Sequence, residues 1–337
     1  KMVRELVARL AVFRYSEGNT KRNGVIVMKT WQKVVSGAAA LSAVGAVSVL
    51  GAAAGLYLAA TKSYARSRQQ SKERAISENT AADNAWYLRH HPVEWTQMTA
   101  DGLCLRASWL AAKQPTTKVV ILAHGLGHAR EQMIPWARVF HDWGYAVLMP
   151  DARAHGESDG HTIGYGWPDR HDYQGWITQV IDQNGADSQI VLLGISMGAA
   201  TVMATAGEDL PTNVKAIIAD SGYASVLGEA RYRMWHNFHV PARPTLTIAD
   251  QYSRWGDYRL ADGDIAGQLK KSQIPLLLIH GAKDTTVPVE NLDILYQAAA
   301  GPKQKYCDPN AEHIATRDAD PVKYDQLVAD FLSTIIA

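Results

Sequence analysis

Along most of this chain, short apolar runs are separated by longer segments of mixed character. Glu94–Thr99 and Leu103–Leu110 flank Asp101-Gly102, a turn signal that predicts a hairpin. Lys118–Ala123, Tyr145–Met149, Gln189–Leu193, Val214–Ala219 and Ile274–Ile279 are continuous apolar runs, and Gln304–Cys307 is a shorter strand-like one. Runs that do not alternate with polar residues belong to parallel strands covered on both faces. The intervening stretches are of helix or loop length, and Met133–Trp143 reads as a helix. Strands alternating with helices predict an α/β protein with a doubly wound, mostly parallel sheet.

The N-terminal part breaks this pattern. Val34–Ala60 is 27 residues without a charge, long enough as a helix to exceed the roughly 30 Å hydrocarbon core of a bilayer. A membrane anchor is the expected reading. A cleaved signal peptide ending near Ala59-Ala60 and a buried soluble helix are the alternatives. Lys29 and Lys33 precede the run and Lys62, Arg66, Arg68, Lys72 and Arg74 follow it, so the positive-inside rule does not fix its orientation. Gly51 and Gly55 form a G-x-x-x-G that could pair two such helices in a homodimer, although glycine is common in such segments. Residues 1–33 read as a basic leader, with Met28-Lys29-Thr30 as a natural signal-anchor start. Residues 61–84 read as a polar stalk, and the catalytic body is expected over 85–337.

Composition adds one distinction. Residues 1–74 carry 13 Lys/Arg against 3 Asp/Glu, a net of +10, and the remainder carries a net of −9. The basic end suits an anionic membrane surface, and the acidic body argues against a nucleic-acid partner. Cys104 and Cys307 form no C-x-x-C and set no metal spacing. The expected location is the cell membrane, single-pass, with the body outside; secretion after cleavage is the alternative.

Candidate chemistry gathers at strand ends, where open α/β sheets bind ligands. His124-Gly125-Leu126-Gly127 follows one run, Asp151 to Ser158 another, His280 to Asp284 a third, and Glu312-His313 the last. The sharpest signal is Gly194-Ile195-Ser196-Met197-Gly198, a G-x-S-x-G set between an apolar strand and a helix of small residues. A strained turn that lifts a serine out of a sheet needs neighbours without side chains. That context marks Ser196 as a nucleophile rather than part of a plain strand-to-helix turn.

With these segments assembled, the chain resembles the α/β-hydrolases, specifically membrane-anchored bacterial cell-surface serine hydrolases of esterase or prolyl-oligopeptidase-like type. HGLG, PDARAHGESDG, GYGWPDRHDYQGWI, LLGISMGAATVM, VKAIIADSGYASV, IPLLLIHGAKDTTVP and AEH carry the likeness from about Ala85 onward. The resemblance implies Ser196 as nucleophile, Asp284 as triad acid and His313 as general base. It implies the backbone N–H groups of Leu126 and Met197 as the oxyanion hole, and a helical cap over about 222–272. The order Ser, Asp, His agrees with that superfamily.

The residue types make chemical sense independently: a serine hydroxyl needs an imidazole to take its proton, and the imidazole needs a carboxylate to fix its tautomer. Asp308 and Asp318 stay open as alternative acids, and eleven other histidines compete with His313. His124, His155 and His280 read as loop braces. His236 and His239, three residues apart, could hold a metal but have no carboxylate or cysteine spaced nearby, so no metal is expected. Asp169 and Asp172 read as scaffold, capping or pairing with Arg170. No cofactor is expected either, because no G-x-G-x-x-G follows a strand and no P-loop appears. Tyr223, Tyr232, Trp235, Phe238, Tyr252, Trp255 and Tyr258 fall in the cap and suggest an ester substrate with an apolar acyl or aryl group. Ester hydrolysis is the favoured activity. Peptidase or amidase action, acyl transfer, and a non-catalytic surface binding module are the alternatives.

Overall fold

In the computed structural model, residues 68–239, 245–252 and 258–336 are described. The basic leader, the charge-free run 34–60 with Gly51 and Gly55, and the start of the stalk lie outside the described residues. Among the described residues no helix is long and apolar enough to cross a membrane.

The strands form where the apolar runs predict them. The hairpin of β1 (Val93–Met98) and β2 (Cys104–Leu110) turns at Asp101-Gly102, and Gly102 takes φ +84°, a conformation open to glycine. The strands β3 (Lys118–Ala123), β4 (Ala146–Pro150), β5 (Gln189–Ile195), β6 (Val214–Asp220), β7 (Leu276–Gly281) and β8 (Lys303–Asp308) run parallel. The eight-stranded sheet has the order β1-β2-β4-β3-β5-β6-β7-β8, with β2 antiparallel to both its neighbours.

Alternate residues of the central strands feed opposite cores, which is why these runs are apolar throughout. Val119, Ile121, Ile190, Leu192, Ile217 and Leu278 pack with Trp176, Val202 and Met203 on one face. Val120, Leu122, Val191, Leu193, Ile218 and Leu277 pack with Phe140, Val328 and Phe331 on the other. The α-helices are α1 (Arg68–Glu78), α2 (Ala81–Arg89), α3 (Ile134–Asp142), α4 (Asp169–Asn184) and α5 (Met197–Thr205). Then come α6 (Val226–Phe238), α7 (Thr245–Tyr252), α8 (Ile265–Leu269), α9 (Glu290–Ala298), α10 (Thr316–Ala319) and α11 (Pro321–Ser333).

The expected boundary of the body at 85 needs correction. Helix α1 falls within the segment read as a stalk, yet Ser71 and Ala75 are buried on the body. Lys72 Nζ lies 2.8 Å from Glu157 and 3.5 Å from Glu131, and Asn79 Nδ2 donates to the Glu131 carbonyl at 2.7 Å. This helix docks through small residues and ion pairs, so it carries no apolar stripe for a sequence to display. The β6–β7 connection carries α6, α7 and α8, the region expected as a cap. Tyr223 and Tyr258 pack on the core there, whereas Trp235 is 62% exposed. The side chains of Phe238, Tyr252 and Trp255 lie outside the described residues.

Candidate active site

Ser196 sits between β5 and α5 with φ +53° and ψ −116°, a strained backbone for a residue with a side chain. Its N–H is fixed by the Asp220 carbonyl at 2.8 Å. The close approach explains the flanking glycines: a Cβ on Gly194 would lie 2.2 Å from the Gly198 carbonyl oxygen, and one on Gly198 would lie 2.1 Å from that of Ala123. A serine at a helix start commonly caps its own helix, but the Ser196 side chain makes no such bond. Instead its Oγ meets His313 Nε2 at 2.9 Å. His313 Nδ1 in turn lies 2.7 Å from Asp284 Oδ2. A carboxylate only accepts, so Nδ1 carries the proton and Nε2 is left to accept from the serine.

Asp284 is saturated. Its Oδ1 accepts the N–H groups of Thr286 and Val287, each at 2.8 Å, and its Oδ2 faces His280 Nε2 at 3.2 Å as well as His313. Burial alone would raise its pKa, but the bonds from His280 and His313 outweigh it and hold the carboxyl well below its usual range. His280 Nε2 also faces the Val287 carbonyl at 3.0 Å, so this ring braces the acid as well as its loop. Asp308 is otherwise engaged, accepting the N–H groups of Asn310 and Ala311 in the turn that leads to His313. Asp318 lies on the short helix α10.

Two residues next to this chain of bonds have no counterpart among the sequence candidates. Ser221, at φ +57°, donates to buried Asp220 at 2.9 Å and accepts the Ile314 N–H at 3.2 Å. The end of β6 therefore holds both Ser196, through the Asp220 carbonyl, and the residue after His313. Burial raises the Asp220 carboxyl to about 6. The sequence signal that could have found it is a carboxylate closing an apolar strand.

The loop His124–Gly127 lies against the serine, with only 3.7 Å between Ser196 Cβ and the position a Gly125 Cβ would take. His124 Nδ1 meets the Gly125 carbonyl at 2.8 Å, and the His128 N–H reaches the same oxygen at 3.4 Å. In a trans peptide the N–H opposes the C=O, so anchoring that oxygen turns the Leu126 N–H the other way. Met197 opens α5, so its N–H has no intrahelical acceptor. The side chains of Leu126 and Met197 join Ile163 and Tyr165 in a small apolar cluster.

His124 and His155 are buried braces. His155 Nδ1 faces the Arg153 carbonyl at 2.8 Å, and its Nε2 accepts the Gly127 N–H at 3.2 Å, an arrangement only the neutral ring can make. Burial lowers its pKa from 6.5 to about 4. Between those values the unfolded chain binds a proton that the folded chain does not, so stability falls as pH falls, by roughly 3 kcal/mol from this residue. Urea unfolding at pH 7 and pH 4.5 is expected to show that loss in the wild type and a smaller one in His155→Gln. Equal losses would remove His155 as the source.

Asp172 pairs with Arg153, at 2.6 and 2.7 Å, rather than with Arg170 as expected. Arg170 instead bonds Glu208 at 2.7 Å and lies over the Trp167 ring. His236 and His239 stack on Tyr232 and Trp235. Among the described residues no group of three His, Cys, Asp or Glu gathers in a metal-binding arrangement.

The sheet order, with Ser196 at the β5–α5 turn and Asp284 and His313 after β7 and β8, is the arrangement of the α/β-hydrolase class. The chain belongs to the α/β-hydrolase family: residues 118–240 match the family described as alpha/beta hydrolase fold. It is 30% identical to the protein YfhR of Escherichia coli (strain K12) over 223 residues, 64% of this chain and 70% of that one. It is 29% identical to YqkD of Bacillus subtilis (strain 168) over 225 residues, 66% of this chain and 74% of that one. Among solved structures it is similar to the Pyrococcus furiosus esterase Pf2001, with a TM-score of 0.62 and 23% identity over 75% of this chain and 94% of that one. A hydrolase from Pseudomonas aeruginosa PA01 gives a TM-score of 0.53 at 17% identity, over 71% of this chain and 98% of that one.

Proposed function

We propose that the chain is a serine hydrolase that cleaves carboxylic esters with an apolar acyl or aryl group, through an acyl-enzyme on Ser196. The observation that carries this reading is the continuous chain of bonds from Ser196 Oγ to His313, at 2.9 Å, and on to Asp284, at 2.7 Å. His313 Nε2 takes the hydroxyl proton as Oγ attacks the ester carbonyl, and Asp284 stabilises the imidazolium that forms. The N–H groups of Leu126 and Met197 receive the charge on the carbonyl oxygen. The intermediate collapses as His313 returns the proton to the departing alcohol, and water then repeats the cycle on the acyl-enzyme. Leu126 and Tyr165, partly buried against Ile163 and Met197 next to the serine, favour an apolar acyl group. The likeness to an esterase supports the ester reading.

The test is a series of p-nitrophenyl esters from acetyl to dodecanoyl beside matched p-nitroanilides. We expect the esters to turn over, with kcat/KM rising as the acyl chain lengthens beyond acetyl. Turnover of anilides without esters would move the assignment to a peptidase or amidase. The run 34–60 is proposed as the membrane anchor of this enzyme. Protease treatment of intact cells is expected to release the body, and complete protection would reverse the proposed orientation.

A further inference from the structure

The oxyanion loop is held from outside as well as from below. His128 packs with its side chain 9% exposed, its Nδ1 3.1 Å from the Leu126 carbonyl and its Nε2 2.8 Å from Glu78 Oε2. Both partners only accept, so the ring donates to both at once only as an imidazolium, a charge that burial opposes and the Glu78 carboxylate favours. The neutral ring donates to one of them. The Leu126–Gly127 peptide is thereby clamped at both ends, its oxygen by the His128 ring and its N–H by His155 Nε2 at 3.2 Å. The preceding peptide, which carries the Leu126 N–H, is fixed at its own oxygen by His124 and by the His128 backbone N–H. One residue therefore touches both peptides that flank Leu126. The group that holds this residue's ring is the last residue of α1, the helix docked on the body through Ser71, Ala75 and the pairing of Lys72 with Glu157 and Glu131.

We propose that Glu78 and His128 are positioning residues for the oxyanion donor Leu126, so that the docking of α1 sets how well the site holds its transition state. The inference rests on the serine-hydrolase reading, in which the Leu126 N–H stabilises the oxyanion. His128 touches no reacting atom. It limits the directions in which the Leu126 N–H can point, and Glu78 limits the directions available to the ring. A donor that swings away leaves ground-state binding intact and weakens only the developing negative charge. Displacements of about 1 Å at such a site are enough to lower rates by ~100-fold. Helix α1 is also the described element that follows the charge-free run 34–60 most closely in sequence, so the segment leading from the proposed anchor becomes part of the catalytic apparatus.

The experiment compares His128→Ala, Glu78→Ala and Glu78→Gln with wild type, using a p-nitrophenyl ester and an alkyl trifluoromethyl ketone, which adds to a serine as a tetrahedral oxyanion. Rates are taken per active site titrated with a fluorophosphonate. His128→Ala is expected to lower kcat about 10- to 100-fold with KM within about twofold, and to raise the ketone Ki in proportion. Glu78→Ala should act in the same direction and more weakly. Glu78→Gln should recover at least half of the loss, because its amide N–H can donate to Nε2 of a ring protonated at Nδ1. Unchanged kcat in His128→Ala, a fall in kcat matched by KM, or Glu78→Gln no faster than Glu78→Ala would overturn the proposal. If the ketone leaves the wild type uninhibited and Ser196→Ala stays active, the serine-hydrolase reading itself fails, an outcome distinct from any of these.

Discussion

Ser196→Ala is expected to lower kcat on a p-nitrophenyl ester by about 10^6-fold, the largest effect of any single change in the protein. The substitution removes the oxygen bonded to His313 Nε2 while leaving the proposed oxyanion donors and the neighbouring apolar cluster in place. Some acceleration over water should survive from those donors, on the order of 10^3-fold. The fold should not suffer. Alanine keeps the Cβ at the strained backbone of residue 196, and the lost hydroxyl bond changes stability by about 1 kcal/mol. Stopped assays, a melting curve, and mass spectrometry for a trapped acyl adduct in the wild type check all three parts. Activity within tenfold of wild type in a correctly folded variant would retire Ser196 as the nucleophile.

Asp284→Asn should lower kcat by about 10^4-fold, although the side chain keeps its shape. The carboxylate now receives four donors, two backbone N–H groups on Oδ1 and two imidazoles on Oδ2. An amide can accept on one side only, so its NH2 must confront a pair of donors whichever way it turns. If the NH2 faces the histidines, His313 relieves the clash by moving its proton to Nε2, where it can no longer accept from Ser196. If it faces the backbone, two buried N–H groups lose their acceptor, at about 1–3 kcal/mol each. The variant should therefore be both slow and less stable, and kcat measured beside urea unfolding separates the two losses. A folded variant with kcat within tenfold of wild type would show that Asp284 does not set the tautomer.

Legibility in the sequence followed locality. The apolar runs gave the strand positions to within a few residues, because a strand covered on both faces must be apolar at every position, as in Val119–Leu122. The serine was legible because its turn requires glycines at 194 and 198, whatever the rest of the chain does. The choice among acids was legible in part: Asp284 follows the fully buried strand β7, whereas Asp308 closes the largely exposed edge strand β8. Only the fold turned Asp284 toward a histidine and Asp308 toward the N–H groups of its own turn. Asp220 and Ser221 were not singled out because the contact that gives Ser221 its task, the N–H of Ile314, lies 93 residues further along the chain than Ser221 itself. Helix α1 was read as a stalk because its docking relies on Ser71, Ala75 and Lys72 with partners around residues 131 and 157.

The order of elements, the two-sided burial of the central strands and the identity of the strained serine were determined by the sequence alone, since each depends on neighbours within a few positions along the chain. The meeting of residues 196, 284 and 313, the sharing of one carboxylate by two imidazoles, and the attachment of α1 to the loop at Leu126 were decided only by the tertiary structure. These contacts join groups up to 117 residues apart, and a hydrogen bond depends on tenths of an ångström and on direction, which packing supplies and composition does not.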